Sequence, residues 1–344
     1  MNIRLRVIAL IVILMLVLAG AGVRMLQQMA MQPLPLEQDL SFDIPPGQSY
    51  RGVLNQLVAA DLLSSHQALA LRLMARLRGN QLVQAGEYTL TPGLSIADAL
   101  ALFRSGRVTL HALRLVEGWN IRDAIAAVRS HPAIRLELAE ADLAPERLLA
   151  ALGLPPGHAE GRLRPETYHF PRGTTDAAFL RRAARAQVTA LEGVWAARVP
   201  DLPLADADAA LVLASIIEKE TGIGGERREV AGVFVNRLRL GMKLQTDPTV
   251  IYGLGATFDG NLRRRDLEAD TPYNTYTRTG LPPTPICLPG SASLQAAVNP
   301  ASTEALFFVA LGDGSGRHAF SRTLDEHNRA VRAYLQRLRE ARNP

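Results

Sequence analysis

The feature that most constrains this chain is an apolar run near its N-terminus, VIALIVILMLVLAGAGV, from Val7 to Val23. Its 17 residues carry no charge, and roughly 17 to 25 apolar residues are needed for a helix to cross a bilayer. Two arginines precede the run, whereas after Arg24 no basic residue follows before Arg51. The positive-inside bias therefore predicts a cytoplasmic N-terminus, with everything after the run beyond the membrane.

The alternative interpretation of the run is a cleaved signal peptide. The residues AGA, Ala19 to Ala21, have the small-residue spacing of a cleavage site. The length of the run favours an uncleaved anchor, because a signal-peptide core has roughly 7 to 15 apolar residues. Both interpretations place the folded part beyond the membrane, and no cysteine follows the run directly, which excludes lipoprotein processing.

Composition narrows the class of protein. Apolar residues make up 48% of the chain and charged residues 21%, which is typical of a folded globular protein. The net charge of +5 is compatible with an anionic partner but does not indicate nucleic acid. The single Cys287 excludes an internal disulfide and a multi-cysteine metal site. The sequence contains no glycine-rich phosphate loop, zinc-type histidine spacing or Ser-His-Asp pattern, so we expect no cofactor and no metal.

A short pattern recurs three times after the membrane segment. Alternating apolar residues lead to a glycine turn, then to a polar residue, then to apolar residues at helical spacing. We expect strand, turn and helix in each repeat, with the polar residue accepting the free amides of the first helical turn. Units of this kind occur in LysM-type carbohydrate-binding modules. The repeats are FDIPPGQSYRGVLNQL, YTLTPGLSIADALALF and LRLVEGWNIRDAIAAV, with Ser49, Ser95 and Asn120 as the predicted caps.

The rest of the chain predicts a mixed fold. Residues 120–240 are mostly helical by period, residues 242–289 are rich in loops, and two strands and a helix from Asp325 close the chain. The predicted fold class is α+β. The predicted segments are a cytoplasmic N-terminus (1–6), a transmembrane helix (7–23), a tether (24–40), a small LysM-like βα subdomain (41–110) and a larger mixed α/β catalytic domain (111–344).

The stretch ASIIEKET, from Ala214 to Thr221, places charge at the end of a helix that is apolar nearly all round. Glu218 and Glu220 lie near the helix C-terminus, where the negative end of the helix dipole disfavours a second negative charge. Burial acts in the same direction, so the pattern predicts a carboxyl held protonated, as an acid for glycosidic cleavage must be. Periodicity does not choose between the two glutamates, and a structural ion pair with Lys219 is the alternative.

Downstream loops carry side chains suited to a sugar. Amides and hydroxyls can bind sugar hydroxyls, and aromatic rings can stack on sugar faces. The alternative is that these residues serve only turns and caps. The predicted substrate-binding residues are Gln245, Thr246, Asp247, Tyr273, Asn274 and Tyr276.

These motifs resemble those of the YceG-like (MltG) endolytic murein transglycosylases. The resemblance is carried by ASIIEKETGIGGERREVAGVFVNRLRLGMKLQTDPTVIYGLG, YNTYTRTGLPPTPI, HAFSRTLDEHN and EGRLRPETYHF. The last motif differs from the family at Arg162, where an aromatic residue is usual. The resemblance spans the anchor, the LysM-like unit and the whole C-terminal region.

The resemblance implies which glutamate is catalytic and which reaction it performs. Glu218 matches the family's catalytic residue, and Lys219 and Glu220 are then residues that position or tune it. The implied substrate is the β-1,4 bond between N-acetylmuramic acid and N-acetylglucosamine inside peptidoglycan strands. The muramic acid 6-hydroxyl attacks C1 and leaves a 1,6-anhydro end, which terminates strand elongation.

The resemblance also implies a place and partners: the cell inner membrane, with the catalytic part periplasmic, and peptidoglycan synthases (penicillin-binding proteins). Two alternatives stay open. One is a hydrolytic muramidase in which Asp247 or Glu220 activates water. The other is a non-catalytic scaffold that binds peptidoglycan.

Overall fold

The structure, a computed structural model, describes residues 3–79 and 82–342. Residues 1–2, 80–81 and 343–344 belong to the predicted cytoplasmic segment, LysM-like subdomain and catalytic domain, and lie outside the described residues. The chain forms two compact units. The first comprises Met1–His111 and His169–Arg172, and the second comprises Ala112–Tyr168 and Gly173–Pro344.

The first unit is built around one antiparallel strand pair covered by helices. β1 and β2 pair with Phe42 opposite Tyr88, and the ring of Phe42 stacks on Phe103 in the core. Ser49 and Ser95 accept amides at the starts of two helices, as the repeat pattern predicts. The elements are α1 (Ile3–Ala30), β1 (Leu40–Ile44), α2 (Tyr50–Ala59), α3 (Ser65–Arg78), β2 (Gly86–Leu90) and α4 (Ile96–Ser105).

Helix α1 is long and apolar enough to cross a membrane. The candidate span is Arg6–Ala30, with a mean hydropathy of 2.6 and none of its most apolar window buried. The helix therefore fits a single-pass anchor and extends beyond the predicted residues 7–23 on both sides.

The second unit is mainly helical and contains two short two-stranded sheets. One pairs β4 (Ile134–Arg135) with β6 (Thr174–Thr175), and the other pairs β7 (Phe307–Ala310) with β8 (His318–Ser321). A further strand pair, β3 (Leu110–Arg114) with β5 (Thr167–Pro171), has residues that belong to each unit. The helices are α5 (Ile121–Ser130), α6 (Pro145–Ala151), α7 (Asp176–Ala196), α8 (Ala207–Glu220), α9 (Arg227–Arg239), α10 (Asp247–Leu254), α11 (Arg264–Glu268), α12 (Ser291–Val298) and α13 (Leu324–Arg342).

Helix α8 forms the centre of the second unit. Every residue from Ala210 to Ile217 is buried, as the all-round apolar pattern predicts. The helix packs against α7, α9 and α12 within one hydrophobic cluster. Its last turn carries Glu218, the first residue after this buried stretch.

The mixed α+β class and the apolar N-terminal helix agree with the sequence-based expectation. The cap at Asn120 is also confirmed: its side chain accepts the amides of Arg122 and Asp123 in a capping box. The LysM-like and catalytic designations of the two predicted domains stay predictions.

Candidate active site

Glu218 lies in the last turn of α8 with its side chain only 7% exposed. Its Oε2 atom accepts a hydrogen bond from the Gly290 amide at 3.0 Å and another from the Ser293 hydroxyl at 2.7 Å. Both donors come from a segment more than 70 positions away in sequence. The carboxyl is therefore fixed by tertiary structure and not by its own helix.

The segment that binds Glu218 is the N-terminus of a second helix. Gly290 immediately precedes α12, and Ser293 lies in its first turn. The free amides and the positive end of the α12 dipole thus face the carboxyl, whose own helix presents its negative end. From the sequence, only the negative end of α8 could be expected near Glu218. The positive end of α12 opposes it, and local periodicity does not show that a second helix begins there.

Arg227, the first residue of α9, is the cationic neighbour of Glu218. Its Nη2 atom lies 3.6 Å from Glu218 Oε1, and its side chain is 14% exposed. Within the described chain, its buried Nε atom has no hydrogen-bond partner. One face of the carboxyl therefore meets a guanidinium that retains an unused donor.

The start of α9 is anchored next to Arg227. Glu226 is buried and accepts hydrogen bonds from the His318 backbone amide at 3.0 Å and from His318 Nδ1 at 2.8 Å. Burial raises the pKa of Glu226, but the hydrogen bonds and charge of His318 outweigh it, and the net shift is downward. The HAFSRT strand thus holds the helix that supplies Arg227.

Among the described residues, Lys219 forms no ion pair with either neighbouring glutamate. It is exposed, and its Nζ donates to the backbone oxygen of Gly118 at 3.4 Å. Gly118 lies in the turn before α5 with φ +80°, a value that favours glycine. Lys219 therefore contacts a turn of the third sequence repeat.

Glu220 faces a different neighbourhood from Glu218. It accepts a short hydrogen bond from the Thr246 hydroxyl, and burial raises its pKa, with the charge of Asp247 adding to the effect. The two glutamates thus contact different neighbours of α8. The raised carboxyl pKa expected for this helix end is found at Glu220.

Two of the predicted substrate-binding residues are buried and form hydrogen bonds within the protein. Asn274 is fully buried, and its Nδ2 donates to three backbone oxygens, those of Asp266, Leu267 and Ala269. Thr246 is also buried and uses its hydroxyl on Glu220. Their geometry supports the alternative in which polar residues hold the loops together.

The other four predicted residues are more accessible. Gln245 and Asp247 are exposed, and Gln245 has the left-handed φ of +52°. The Tyr276 hydroxyl donates to Asp247 at 2.6 Å, and burial raises the pKa of Tyr276. Tyr273 is half-buried, with its hydroxyl 2.8 Å from that of Thr284.

Sequence reasoning missed Glu160 as an individual residue, although its motif EGRLRPETYHF was recognised. Glu160 is 1% exposed and accepts hydrogen bonds from the Ile121 amide at 3.0 Å and the Gly161 amide at 3.2 Å. A third comes from the Tyr252 hydroxyl at 3.1 Å. Burial raises the pKa of Glu160 to about 7. The motif contains Glu-Gly directly before a basic residue, but only the fold shows that this carboxyl is interior.

Cys287 is interior as well. It is fully buried, its Sγ donates to the Ser215 backbone oxygen at 3.3 Å, and burial raises the pKa of its thiol. These contacts fasten the loop before α12 to α8. Among the described residues, no group of three or more His, Cys, Asp or Glu side chains could hold a metal ion.

The sequence model of the YceG-like family matches residues 42–333, which is most of the chain. The chain belongs to the YceG-like family.

Relatives of this YceG-like chain bear a common name. A Bacillus subtilis (strain 168) protein named endolytic murein transglycosylase is 30% identical over 326 residues, covering 89% of each chain. A Streptococcus pneumoniae (strain D39) protein of the same name is 28% identical over 181 residues, covering 51% of this chain and 32% of that protein. The crystal structure of a YceG-like protein from Listeria monocytogenes superposes with a TM-score of 0.54 at 27% identity, covering 86% of this chain and 99% of that one.

Proposed function

We propose that this YceG-like chain is a membrane-anchored endolytic murein transglycosylase that cleaves the β-1,4 bond between N-acetylmuramic acid and N-acetylglucosamine. The observation that carries the proposal is the position of Glu218, which two α12 donors and Arg227 hold at the end of a buried helix. Membership of the family and the names of its relatives supply the substrate class.

In the proposed reaction, Glu218 performs two proton transfers. It first donates its proton to the glycosidic oxygen while the muramic acid 6-hydroxyl attacks C1. The bond from C1 to the protonated oxygen breaks as the new bond to the 6-hydroxyl oxygen forms, and the leaving sugar departs. The Glu218 carboxylate receives the proton of the attacking hydroxyl, and a 1,6-anhydro end remains. The nucleophile is tethered to the reacting carbon, so a single carboxyl can serve as acid and base. In the carboxylate state, the Gly290 amide and the Ser293 hydroxyl stabilise the negative charge.

The remaining predicted residues are proposed in supporting roles. Gln245, Asp247, Tyr273 and Tyr276 are the candidates for sugar contact, since they are the more accessible members of the predicted set. We also propose that α1 anchors the chain in the cell inner membrane with the second unit periplasmic. There, cleavage of nascent strands would end their elongation beside peptidoglycan synthases.

The deciding experiment is digestion of uncrosslinked glycan strands by wild type and by Glu218→Gln, followed by mass spectrometry of the products. Wild type should yield 1,6-anhydro ends, and Glu218→Gln should yield none while keeping its melting temperature. A Glu229→Gln variant, which changes an exposed carboxyl of α9, serves as the matched control. Reducing ends from wild type would instead identify a muramidase, and binding without cleavage would identify a scaffold.

A further inference from the structure

Glu117 lies directly beside the glycine that binds Glu218. A Cβ atom placed on Gly290 would meet both oxygens of the Glu117 carboxylate, with Oε2 at 2.9 Å, so the Glu117 side chain would have to move. The backbone of Gly290 has φ −75° and ψ 173°, a conformation open to any residue. The Glu117 carboxylate therefore occupies the space that a side chain at position 290 would take.

The two carboxylates flank a single residue. The Gly290 amide donates to Glu218 while its α-carbon faces Glu117. The neighbouring Glu117 turn is fixed by the Gly118 amide, which donates to the Leu288 oxygen at 2.9 Å, and by the Leu288 amide, which donates to the Trp119 oxygen at 2.7 Å. Lys219 adds a third contact to this turn, through the Gly118 oxygen.

The Glu117 carboxylate is not used by the protein. Glu117 is exposed, and in the part of the chain that the structure describes it has neither a hydrogen bond nor an ion pair through its side chain. A carboxylate carried by an anchored turn, next to the candidate acid and without a hydrogen bond or ion pair to the described residues, is available to a bound substrate.

We propose that Glu117 is a second catalytic carboxylate, which stabilises the positive charge that develops at the anomeric carbon when Glu218 protonates the glycosidic oxygen. The inference rests on the proposed glycosidic cleavage, whose transition state resembles an oxocarbenium ion. Glu117 forms no covalent bond and transfers no proton: the 6-hydroxyl attacks C1, and its proton passes to Glu218. Glu220, in contrast, accepts a hydrogen bond from the Thr246 hydroxyl.

The test compares Glu117→Gln with wild type and with Glu229→Gln on uncrosslinked glycan strands. Loss of a negative charge beside the reacting centre should lower kcat by about 100-fold or more, with KM changed by less than about 3-fold. The melting temperature should not change. An equal kcat in Glu117→Gln and wild type, or a loss confined to KM, would overturn the proposal.

Two further variants separate charge from folding. Glu117→Ala should regain part of its kcat when sodium formate is added, and a Gly290→Ala variant should lose kcat because its Cβ displaces Glu117. If formate did not restore kcat in Glu117→Ala and Gly290→Ala kept its kcat, the role of Glu117 would be contradicted, while the proposed function would stand. That function fails only if wild type produces no anhydro ends.

A separate observation concerns α3 in the first unit. Leu69, Leu73 and Leu77 follow one another at four-residue spacing and are 64%, 57% and 81% exposed. Two of these leucines line a groove of about 630 Å³ together with Arg51, Arg72 and Arg76. Exposed leucines beside arginines are typical of a helix that lies at a membrane surface with anionic lipids.

The groove borders the end of the candidate membrane helix. Tyr50 and Ala75 line it, and both also line a smaller cavity of about 90 Å³ that includes Ala30, the last residue of α1. In addition, the Gln67 side chain of α3 donates to the Gln32 side chain at 3.2 Å. A bilayer crossed by α1 would therefore end beside the leucines of α3.

We infer that this face of α3 binds the anionic outer surface of the bilayer, with leucines at the acyl boundary and arginines on lipid phosphates. The test uses the full chain in vesicles of phosphatidylethanolamine and phosphatidylglycerol, with a polarity-sensitive fluorophore on Leu73→Cys. The native thiol is buried, so labelling should be confined to the new cysteine. Leu110→Cys, also exposed in the first unit, is the matched control.

The label at position 73 should shift to the blue and be quenched by shallow spin-labelled lipids, whereas the label at position 110 should not. Equal spectra at the two positions would overturn the inference. A blue shift at position 73 caused by added glycan strands and not by lipid would also overturn it, and would assign the face to peptidoglycan.

Discussion

At the scale of single residues, the Glu218 carboxyl lies between the ends of two helices whose dipoles act on it in opposite directions. Glu218 ends α8 but accepts hydrogen bonds from the start of α12, so the unfavourable pole of one helix is offset by the favourable pole of another. Arg227 adds a positive charge on the opposite oxygen. Each of these groups belongs to a different helix, so the charge environment of Glu218 depends on how three helices pack.

Removal of the Ser293 hydroxyl tests this balance. A hydrogen bond to a charged group contributes about 1.5–3 kcal/mol, so Ser293→Ala should lower kcat by roughly 10-fold to 100-fold if the bond is strongest in the transition state. Ser291→Ala, two residues earlier in α12 and directed at Arg164, should retain near wild-type activity. Steady-state kinetics on glycan strands gives the comparison, and equal rates for both variants would show that the Ser293 hydroxyl has no role in the reaction.

The residue scale also shows what the sequence could provide. Capping residues act over a few positions, and so the caps Ser49, Ser95 and Asn120 follow from local patterns. The partners of Glu218 lie more than 70 positions away, and no local pattern indicates them. Glu160 shows the same limit, because its interior position depends on Ile121 and Tyr252.

At the scale of elements, α8 is positioned by close helix packing, and α9 by contact with the segment after α12. Gly232 of α9 has no room for a side chain: a Cβ there would lie 2.6 Å from the Thr303 side chain and 2.8 Å from the Ala301 oxygen. Since α9 begins with Arg227, a displacement of this helix would also move the guanidinium that faces Glu218.

The prediction at this scale uses a pair of helical glycines. Gly232→Ala should destabilise the protein by about 1–3 kcal/mol, the usual cost of overpacking. Gly193→Ala should stabilise it by about 0.5–1 kcal/mol, because Gly193 lies on the exposed side of α7 with nothing within 4 Å of an added Cβ. Urea unfolding in detergent micelles measures both, and equal effects would contradict the assigned packing of α9.

At the scale of the whole molecule, the stability of the fold should depend on pH through two buried carboxyls, Glu160 and Glu226, whose pKa values are shifted in opposite directions. Glu160 has a pKa of about 7 in the folded state against an ordinary value of 4.5, so the folded state holds its proton more tightly. The free energy of unfolding should therefore decrease as pH rises from 4.5 to 7, by about 3 kcal/mol in total. Glu226 contributes to the free energy of unfolding with the opposite sign. Its pKa is lowered in the folded state, so it stabilises the fold above pH 4.5, and this stabilisation is lost as pH falls.

The last prediction compares Glu160→Gln with Glu226→Gln between pH 4.5 and 8. Glu160→Gln keeps a neutral acceptor for the Ile121 amide, so it should match wild type at pH 4.5 and exceed it by about 3 kcal/mol at pH 8. Glu226→Gln should be less stable than wild type at pH 8, and this difference should shrink on acidification. The chain's two tryptophans, Trp119 and Trp195, both lie in the second unit, so their fluorescence during urea unfolding reports on the unit that contains both carboxyls. Parallel pH profiles for Glu160→Gln and wild type would show that the burial of Glu160 does not govern this part of the stability.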